Sequence, residues 1–372
     1  MDTAASNGGK RTENGPSSPE GIAGQGFQSL TGFLKKIRRR RLLQNKFNAD
    51  YAFVGMGSHS MNNLYPVIHY LHIPLKYVVV KSRETANLIN ANRSGLKATN
   101  DLEAVLNDKS VSGIFISANP DSHYELVKKC LLHGKHVFVE KPPCKTVDEL
   151  KDLIDTEKKA GTICLAGLQK RYSSCVNILK KRLKVNDVIS YSYRFLLGAY
   201  PDGNPLWDLY IHPLDLITFL FGETELLSLA ETKPSPSASS LFLQTKHGKT
   251  IGSVEISTQY SWSQALEYLS INTGGGIYTL KNHQSLTFEP KSGTVLSIPK
   301  DKIFHAVPEK KCLFNGNNFL PVLENNQIVS QGYFSEIKTF ASLCENGKSK
   351  NISSLSSLLA TYELITKIEA YV

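Results

Sequence analysis

At 372 residues the chain has room for two domains, each with a core of its own. A hydrophobic content of 41% with 20% charged residues describes a soluble globular protein, with no run near the ~18 apolar residues of a membrane span and no apolar signal-peptide core behind Lys10 and Arg11. The net charge of +10 is uneven: the first fifty residues hold nine Lys/Arg against four Asp/Glu, so 9 − 4 = +5 sits there and the mildly basic body does not suggest nucleic-acid binding.

Residues 1–30 are rich in Gly, Ser and Pro and too poor in large apolar residues to fold alone, so 1–46 reads as a flexible basic extension. Within it, Phe33–Leu43 interleaves Lys35, Lys36, Arg38, Arg39, Arg40 and Arg41 with apolar residues. This is either a contact for an anionic membrane or nucleic acid, or a short basic helix leading into the first strand; the second reading is preferred.

From Ala49 strands and helices alternate. Strands are expected at Tyr51–Gly55, Leu75–Lys81, Ile114–Ser117, His136–Glu140 and Ile163–Ala166. Helices are expected at Met61–Leu71, Thr85–Asn92, His123–His133 and Val147–Ala160, the last with Asp148, Glu149 and Asp152 placed well for its dipole. Alternation of this kind predicts a Rossmann-like, doubly wound parallel sheet over 47–168.

After about residue 170 the pattern changes. Val188–Leu196, Ser240–Thr245, Thr250–Ser257, Leu266–Thr273, Gly276–Lys281 and Ser285–Glu289 read as successive strands, with His247-Gly248-Lys249 as one hairpin turn. Gln331–Cys344 and Ser354–Ala370 read as closing helices. The expectation is a second α/β domain over 169–372 built on a large, mainly antiparallel open sheet. Six cysteines (Cys130, Cys144, Cys164, Cys175, Cys312, Cys344) show no Cys-x-x-Cys and no paired Cys/His spacing. Reduced thiols in a cytoplasmic protein are expected, and no zinc site.

Two segments carry chemistry. Gly55-Met56-Gly57-Ser58-His59-Ser60 follows a strand and opens a helix. A tight turn needs the first glycine, and close approach of backbone N–H groups to a pyrophosphate needs the second. Ser60 stands at the third position, where glycine is usual. The next strand ends Val80-Lys81-Ser82-Arg83, where NAD enzymes typically offer a carboxylate to the ribose. Lys81 or Arg83 would instead pair with a 2′-phosphate and Ser82 hydrogen-bond to it, so NADP is favoured over NAD; the alternative is a set of solvated loop charges. Gly134 to Pro142 reads as a buried strand that delivers Glu140-Lys141 to the carboxyl end of the sheet.

Together these segments resemble the Gfo/Idh/MocA family, named for glucose–fructose oxidoreductase, inositol dehydrogenase and a rhizopine-catabolism protein. The likeness runs from Ala49 to the C-terminus. Asn119-Pro120-Asp121-Ser122-His123 is similar to its loop facing the nicotinamide, and Gly134 to Pro142 to its Gly-Lys-His-Val…Glu-Lys-Pro run. Gly167 to Tyr172 resembles the entry to its second domain, and Asp208 to Asp215 its Asp-x-x-x-His-x-x-Asp helix. Asn63 and Tyr210 depart from the family pattern, which often has histidine and a small residue there. Tyr210 could narrow the pocket, and Pro213 is acceptable only in a first helical turn, so the helix is expected to begin near Leu209.

The resemblance implies an NAD(P)-dependent dehydrogenase or reductase acting on CH–OH groups of a sugar, polyol, inositol or related compound. It also implies a homo-dimer or homo-tetramer through the C-terminal sheet. Asp208 and His212, four apart, share a helical face. His212 suits a proton carrier, Asp208 an orienting group, and Lys141 a cation beside the reacting oxygen. Cofactor contacts are expected from Gly55, Gly57, Ser58, His59, Ser60, Ser82, Arg83, Asn119, Pro120, His123, Glu140 and Lys141, and substrate contacts from Arg171, Tyr193, Tyr200, Trp207, Asp208 and His212. Plainer roles stand beside these: Lys141 bridging Glu140 and cofactor, His212 a hydrogen-bonded interface histidine, Asp208 a helix cap, Asp215 facing a structural partner, and Tyr260 and Trp262 packing on the sheet. The rival functions are a non-catalytic dinucleotide sensor, as in a fungal galactose-pathway repressor of this fold, and an NAD-assisted glycosidase.

Overall fold

A computed structural model describes residues 30–40, 46–93, 95–183, 187–201, 203–304, 309–316, 326–347 and 349–371. The chain divides into two units, residues 1–46 and 47–372. In the first, residues 30–40 form a helix, α1. The expected flexibility of residues 1–29, and the end of the basic stretch at 41–45, lie outside the described residues.

The second unit is α/β. Its first sheet is wholly parallel: β1 (Asp50–Val54), β2 (Leu75–Val79), β3 (Lys97–Thr99), β4 (Val111–Ile116), β5 (His136–Glu140) and β6 (Cys164–Gly167), in the order β3-β2-β1-β4-β5-β6. Between them run α2 (Tyr65–Tyr70), α3 (Arg83–Asn92), α4 (Leu102–Asn107), α5 (His123–Leu132) and α6 (Val147–Ala160). Local chemistry starts and stops these helices. At the start of α6, Thr146 accepts from the Glu149 N–H while the Glu149 side chain reaches back to the Thr146 N–H, and the helix ends on left-handed Gly161. β3 and α4 escaped the sequence reading because they are short, and β3 buries only Ala98. Strand order reverses between β1 and β4, so their carboxyl ends open the crevice where such sheets bind ligands.

The second sheet comprises β7 (Val188–Leu196), β8 (Glu225–Ser235), β9 (Ala238–His247), β10 (Thr250–Ser257), β11 (Leu266–Thr273), β12 (Gly276–Lys281), β13 (Ser285–Pro290) and, after a small hairpin of β14 (Thr294–Val295) and β15 (Ile298–Pro299), β16 (Lys311–Asn315). Their order is β16-β13-β12-β11-β7-β10-β9-β8, antiparallel except where β7 pairs with β10. Edge strand β8 was not predicted; most of its residues are exposed or half-buried, so it has no clean alternation. One face of the sheet buries Tyr193, Leu243, Val254, Ile256, Leu269 and Ile271 in a core shared with α8 (Ile211–Phe221).

The remaining helices are α7 (Ser174–Arg182), α9 (Lys300–Phe304), α10 (Gln327–Ser330), α11 (Tyr333–Asn346) and α12 (Leu359–Glu369). Although α11 follows the second sheet in sequence, it packs on the first. Its Ile337, Phe340 and Ala341 join Tyr51, Phe53, Phe115 and Phe138 in one core, with Phe340 edge-on to Phe115 at 5.0 Å.

Candidate active site

The glycine turn is shaped by contact with the neighbouring strand. Gly55 has φ +89°, and a Cβ there would lie 2.3 Å from the Ser117 carbonyl oxygen, so only glycine closes β1 against the end of β4. A Cβ on Gly57 would meet nothing within 4 Å. Its backbone therefore faces open space at the start of the helix that begins at Ser58. Ser60, in the place of the usual third glycine, is buried and its Oγ lies 2.9 Å from Ser117 Oγ, a hydrogen bond in place of bare close packing.

A cavity of about 1030 Å³ opens above this turn, bounded by Gly55 to Ser60, Lys81, Asn100, Asn119 and Ser122. Its volume, its helix N-terminus and the bare Gly57 suit a dinucleotide. Asn119 caps the short turn Pro120–Ser122 by accepting from the Asp121 N–H at 3.0 Å. Several expected contacts are placed differently: Pro120, Arg83, Ser82 and His123 do not border this cavity. Ser82 instead caps α3, accepting from the Thr85 N–H at 3.1 Å. His123 is buried, with Nδ1 2.8 Å from the Pro142 carbonyl and Nε2 3.1 Å from that of Ala118. Burial lowers its pKa, and the ring stitches the Asn119 loop to the turn after β5.

That turn holds Glu140 and Lys141, followed by a cis bond to Pro142. Glu140 is buried, with Oε1 3.3 Å from His59 Nε2. Lys141 Nζ reaches across to the second half of the unit and donates to the backbone carbonyl of Asp208. Burial pulls the Lys141 pKa down, partly offset by Glu140 and Asp208. The helical segment begins earlier than Leu209: Leu206–Tyr210 forms a π-helical turn leading into α8. Pro213 has no N–H, which leaves this turn short of one intrahelical donor, and the Asp208 oxygen is satisfied by the lysine.

His212 follows one turn on and makes no hydrogen bond among the described residues. Its pKa is driven well below 6.5 by burial, then by the nearby charges of Lys141 and Lys170, against the opposite pull of Glu267, with a smaller lowering from the neighbouring His59. The imidazole is thus neutral and within electrostatic range of both Lys141 and His59, the latter on the wall of the first cavity. Asp208 does not cap α8; its Oδ2 accepts from Tyr200 Oη at 3.2 Å.

A second cavity, about 660 Å³, is bounded by Lys170, Glu267, Asn282, Gln331, Trp262 and Tyr333 among others. Its floor is a buried ion pair between Lys170 and Glu267. Burial alone would raise the Glu267 pKa, but Lys170 and His283 hold it well below the usual carboxylate range. Sequence reasoning missed this pair. The available signal was parity: Glu267 shares the inward alternation of Leu269 and Ile271 on β11.

Three expected substrate contacts are engaged elsewhere. Arg171 is fully buried and grips Asp215 through two bonds, of 2.8 and 2.5 Å, the structural partner expected for Asp215. Tyr193 is also fully buried and donates to Glu267 Oε1 at 2.6 Å, behind the cavity rather than on its wall. Trp207 packs on Tyr362 and donates to Glu369 Oε1 at 2.6 Å, turned toward α12. Conversely, Trp262 is no sheet-packing residue. It donates to the Ala199 carbonyl at 2.8 Å and borders the second cavity.

Residues 49–168 match the model of an oxidoreductase family with an NAD-binding Rossmann fold. The chain is 28% identical over 192 residues to an uncharacterized oxidoreductase, YhhX, of Escherichia coli, a match covering 47% of this chain and only 54% of that protein. It is 23% identical over 286 residues to a scyllo-inositol 2-dehydrogenase (NAD(+)) of Bacillus subtilis, covering 71% of this chain and 76% of the relative. A dehydrogenase structure from Chromobacterium violaceum has the same fold at 18% identity, with a TM-score of 0.73 over 87% of this chain and 95% of that one. Residues 49–168 thus match the Gfo/Idh/MocA oxidoreductase family's NAD-binding domain, and most of the chain shares the fold of the dehydrogenase structure, a parallel sheet followed by a large, mostly antiparallel one.

Proposed function

We propose that this protein is an NAD(P)-dependent dehydrogenase or reductase that moves hydride between the nicotinamide and a sugar, polyol, inositol or related hydroxyl/carbonyl compound. The observation that carries the reading is the Lys141 ammonium, anchored on the Asp208 carbonyl one turn before a neutral, unpartnered His212. In this reading 47–168 binds the dinucleotide and 169–372 binds substrate, which enters the cavity floored by Lys170 and Glu267.

The bound nicotinamide supplies the two-electron hydride acceptor or donor. In the oxidative direction His212 takes the hydroxyl proton, which its neutral ring can accept, and in the reductive direction it returns it. Lys141 favours negative charge as it develops on the reacting oxygen, and its charge adds to burial in holding the His212 pKa down. Gly57, Ser58 and the helix N-terminus would hold the pyrophosphate.

The reading is tested by following reduced-nicotinamide absorbance with a panel of cyclitols and sugars. Net reduction of the dinucleotide is expected. Sugar release without net reduction would mark a glycosidase, and tight dinucleotide binding with no turnover of any substrate would mark a sensor. His212→Ala is expected to lower turnover by ~10²–10⁴-fold with dinucleotide affinity unchanged, as measured by fluorescence titration. Unchanged turnover would remove His212 as the proton carrier.

The same reading favours NADP. Lys81 is exposed and borders the first cavity, and the two residues after it are Ser82 and Arg83, not a carboxylate. Six free cysteines, four of them buried, fit a reducing cytoplasm. A homo-dimer or homo-tetramer formed through the outer face of the second sheet is supported by the exposed Phe242, Ile251 and Ile277.

A further inference from the structure

Helix α1, residues 30–40, is amphipathic. Leu30, Phe33, Leu34 and Ile37 recur at the i, i+3, i+4, i+7 spacing, which at about 100° per residue confines them to an arc of roughly 100°. Lys35, Lys36, Arg38, Arg39 and Arg40 occupy the rest of the circumference, and no acidic residue falls within the helix. Along that arc Leu30 is 53% exposed, Phe33 59% and Leu34 55%, with Ile37 half-buried. Exposed aliphatic and aromatic surface opposite five cations, with no acidic residue in the helix, is costly in water, and it suits an interface that is apolar below and anionic above.

We propose that α1 docks in the plane of a membrane surface bearing anionic phospholipids, with Leu30, Phe33, Leu34 and Ile37 among the upper acyl chains and the cations at the headgroups. Charge complementarity selects the anionic headgroup. The apolar stripe selects a bilayer over a nucleic acid, whose phosphates would be met by the cations alone and would leave Phe33 and Leu34 in water. At about 1.5 Å per residue the helix is roughly 16 Å long, about half the hydrocarbon core, so it lies on the bilayer rather than spanning it. Among the described residues no helix is long and apolar enough to cross one.

The test is flotation of the full chain with phosphatidylcholine vesicles, with and without about a third phosphatidylserine. Binding is expected to the anionic vesicles and to be at least ~10-fold weaker without phosphatidylserine, and to fall as salt rises. The doubles Phe33→Glu/Leu34→Glu and Lys35→Glu/Arg39→Glu are each expected to lower binding at least ~10-fold while dinucleotide affinity is retained. As an independent measurement, the indole introduced by Phe33→Trp is expected to shift its emission to the blue with anionic vesicles only. The proposal is overturned if the full chain ignores anionic vesicles, if the Phe33→Glu/Leu34→Glu protein binds them like the parent, if the emission of the Phe33→Trp protein does not shift, or if duplex DNA displaces the vesicles at equal phosphate.

Discussion

Glu336, on α11, is fully buried, and among the described residues no group makes a well-formed hydrogen bond to either carboxylate oxygen, the Leu168 backbone acting on it as a donor. Burial, then the nearby Glu140 charge, raises its pKa well above the ordinary glutamate value of 4.5. A group whose folded pKa is raised contributes stability in full below its unfolded pKa, and that contribution is lost as pH rises through the folded pKa. Glu336→Gln is therefore expected to match the parent in Tm at mildly acidic pH and to exceed it at alkaline pH. For domains of 150–250 residues each kcal/mol is worth about 2–4 °C; equal Tm differences at both pH values would refute the assignment. Lys81→Glu is expected to reverse cofactor preference toward NADH in paired fluorescence titrations, and a variant that keeps an NADPH preference would place the 2′-phosphate elsewhere. At this scale the sequence was legible where residues form a spaced motif, as with Gly55, Gly57, Lys141 and His212. It was silent on direction. Arg171, Tyr193 and Trp207 are polar or aromatic and near the site in sequence, yet each side chain turns to a partner distant in sequence.

Among the elements, the turn from β1 into its helix is the most constrained. Gly55→Ala places a methyl 2.3 Å from the Ser117 oxygen on a backbone with φ +89°, a strain on the order of 1–3 kcal/mol before any repacking. It is expected to lower thermal stability and to weaken dinucleotide binding at least ~10-fold, about 1.4 kcal/mol; an unaffected Kd would show that the turn does not hold the cofactor. The six strands of the first sheet were readable wherever burial imposed a run of apolar residues, and β3 failed only for want of length. The start of the Asp208–His212 segment was misjudged by three residues. Pro213 argues for a late start when the only helix considered has i→i+4 bonds, whereas a π-helical turn with a lysine on its free carbonyl absorbs the proline.

At the scale of the whole molecule, one face of the second sheet carries exposed apolar side chains among the described residues. Ile251, Ser190, Asn272 and Ile277 stand in register across β10, β7, β11 and β12, with Phe242 on the same face of β9. The double Phe242→Glu/Ile251→Glu is expected to shift the mass seen by light scattering from an oligomer to a monomer; a parent that is already monomeric would discard the proposed assembly. By itself the sequence determined most of the succession of elements, the parallel character of the first sheet and the motifs placed at two strand ends, because periodicity and turn residues act over a few positions. Only the tertiary structure decided that α11 returns to cover the first sheet, that Lys141 crosses to Asp208, and that Lys170 meets Glu267 under the second cavity. Each of these contacts joins residues from 67 to more than 200 positions apart. Their pairing is selected by the shared burial of apolar faces and the need to compensate buried charge, which no local pattern records.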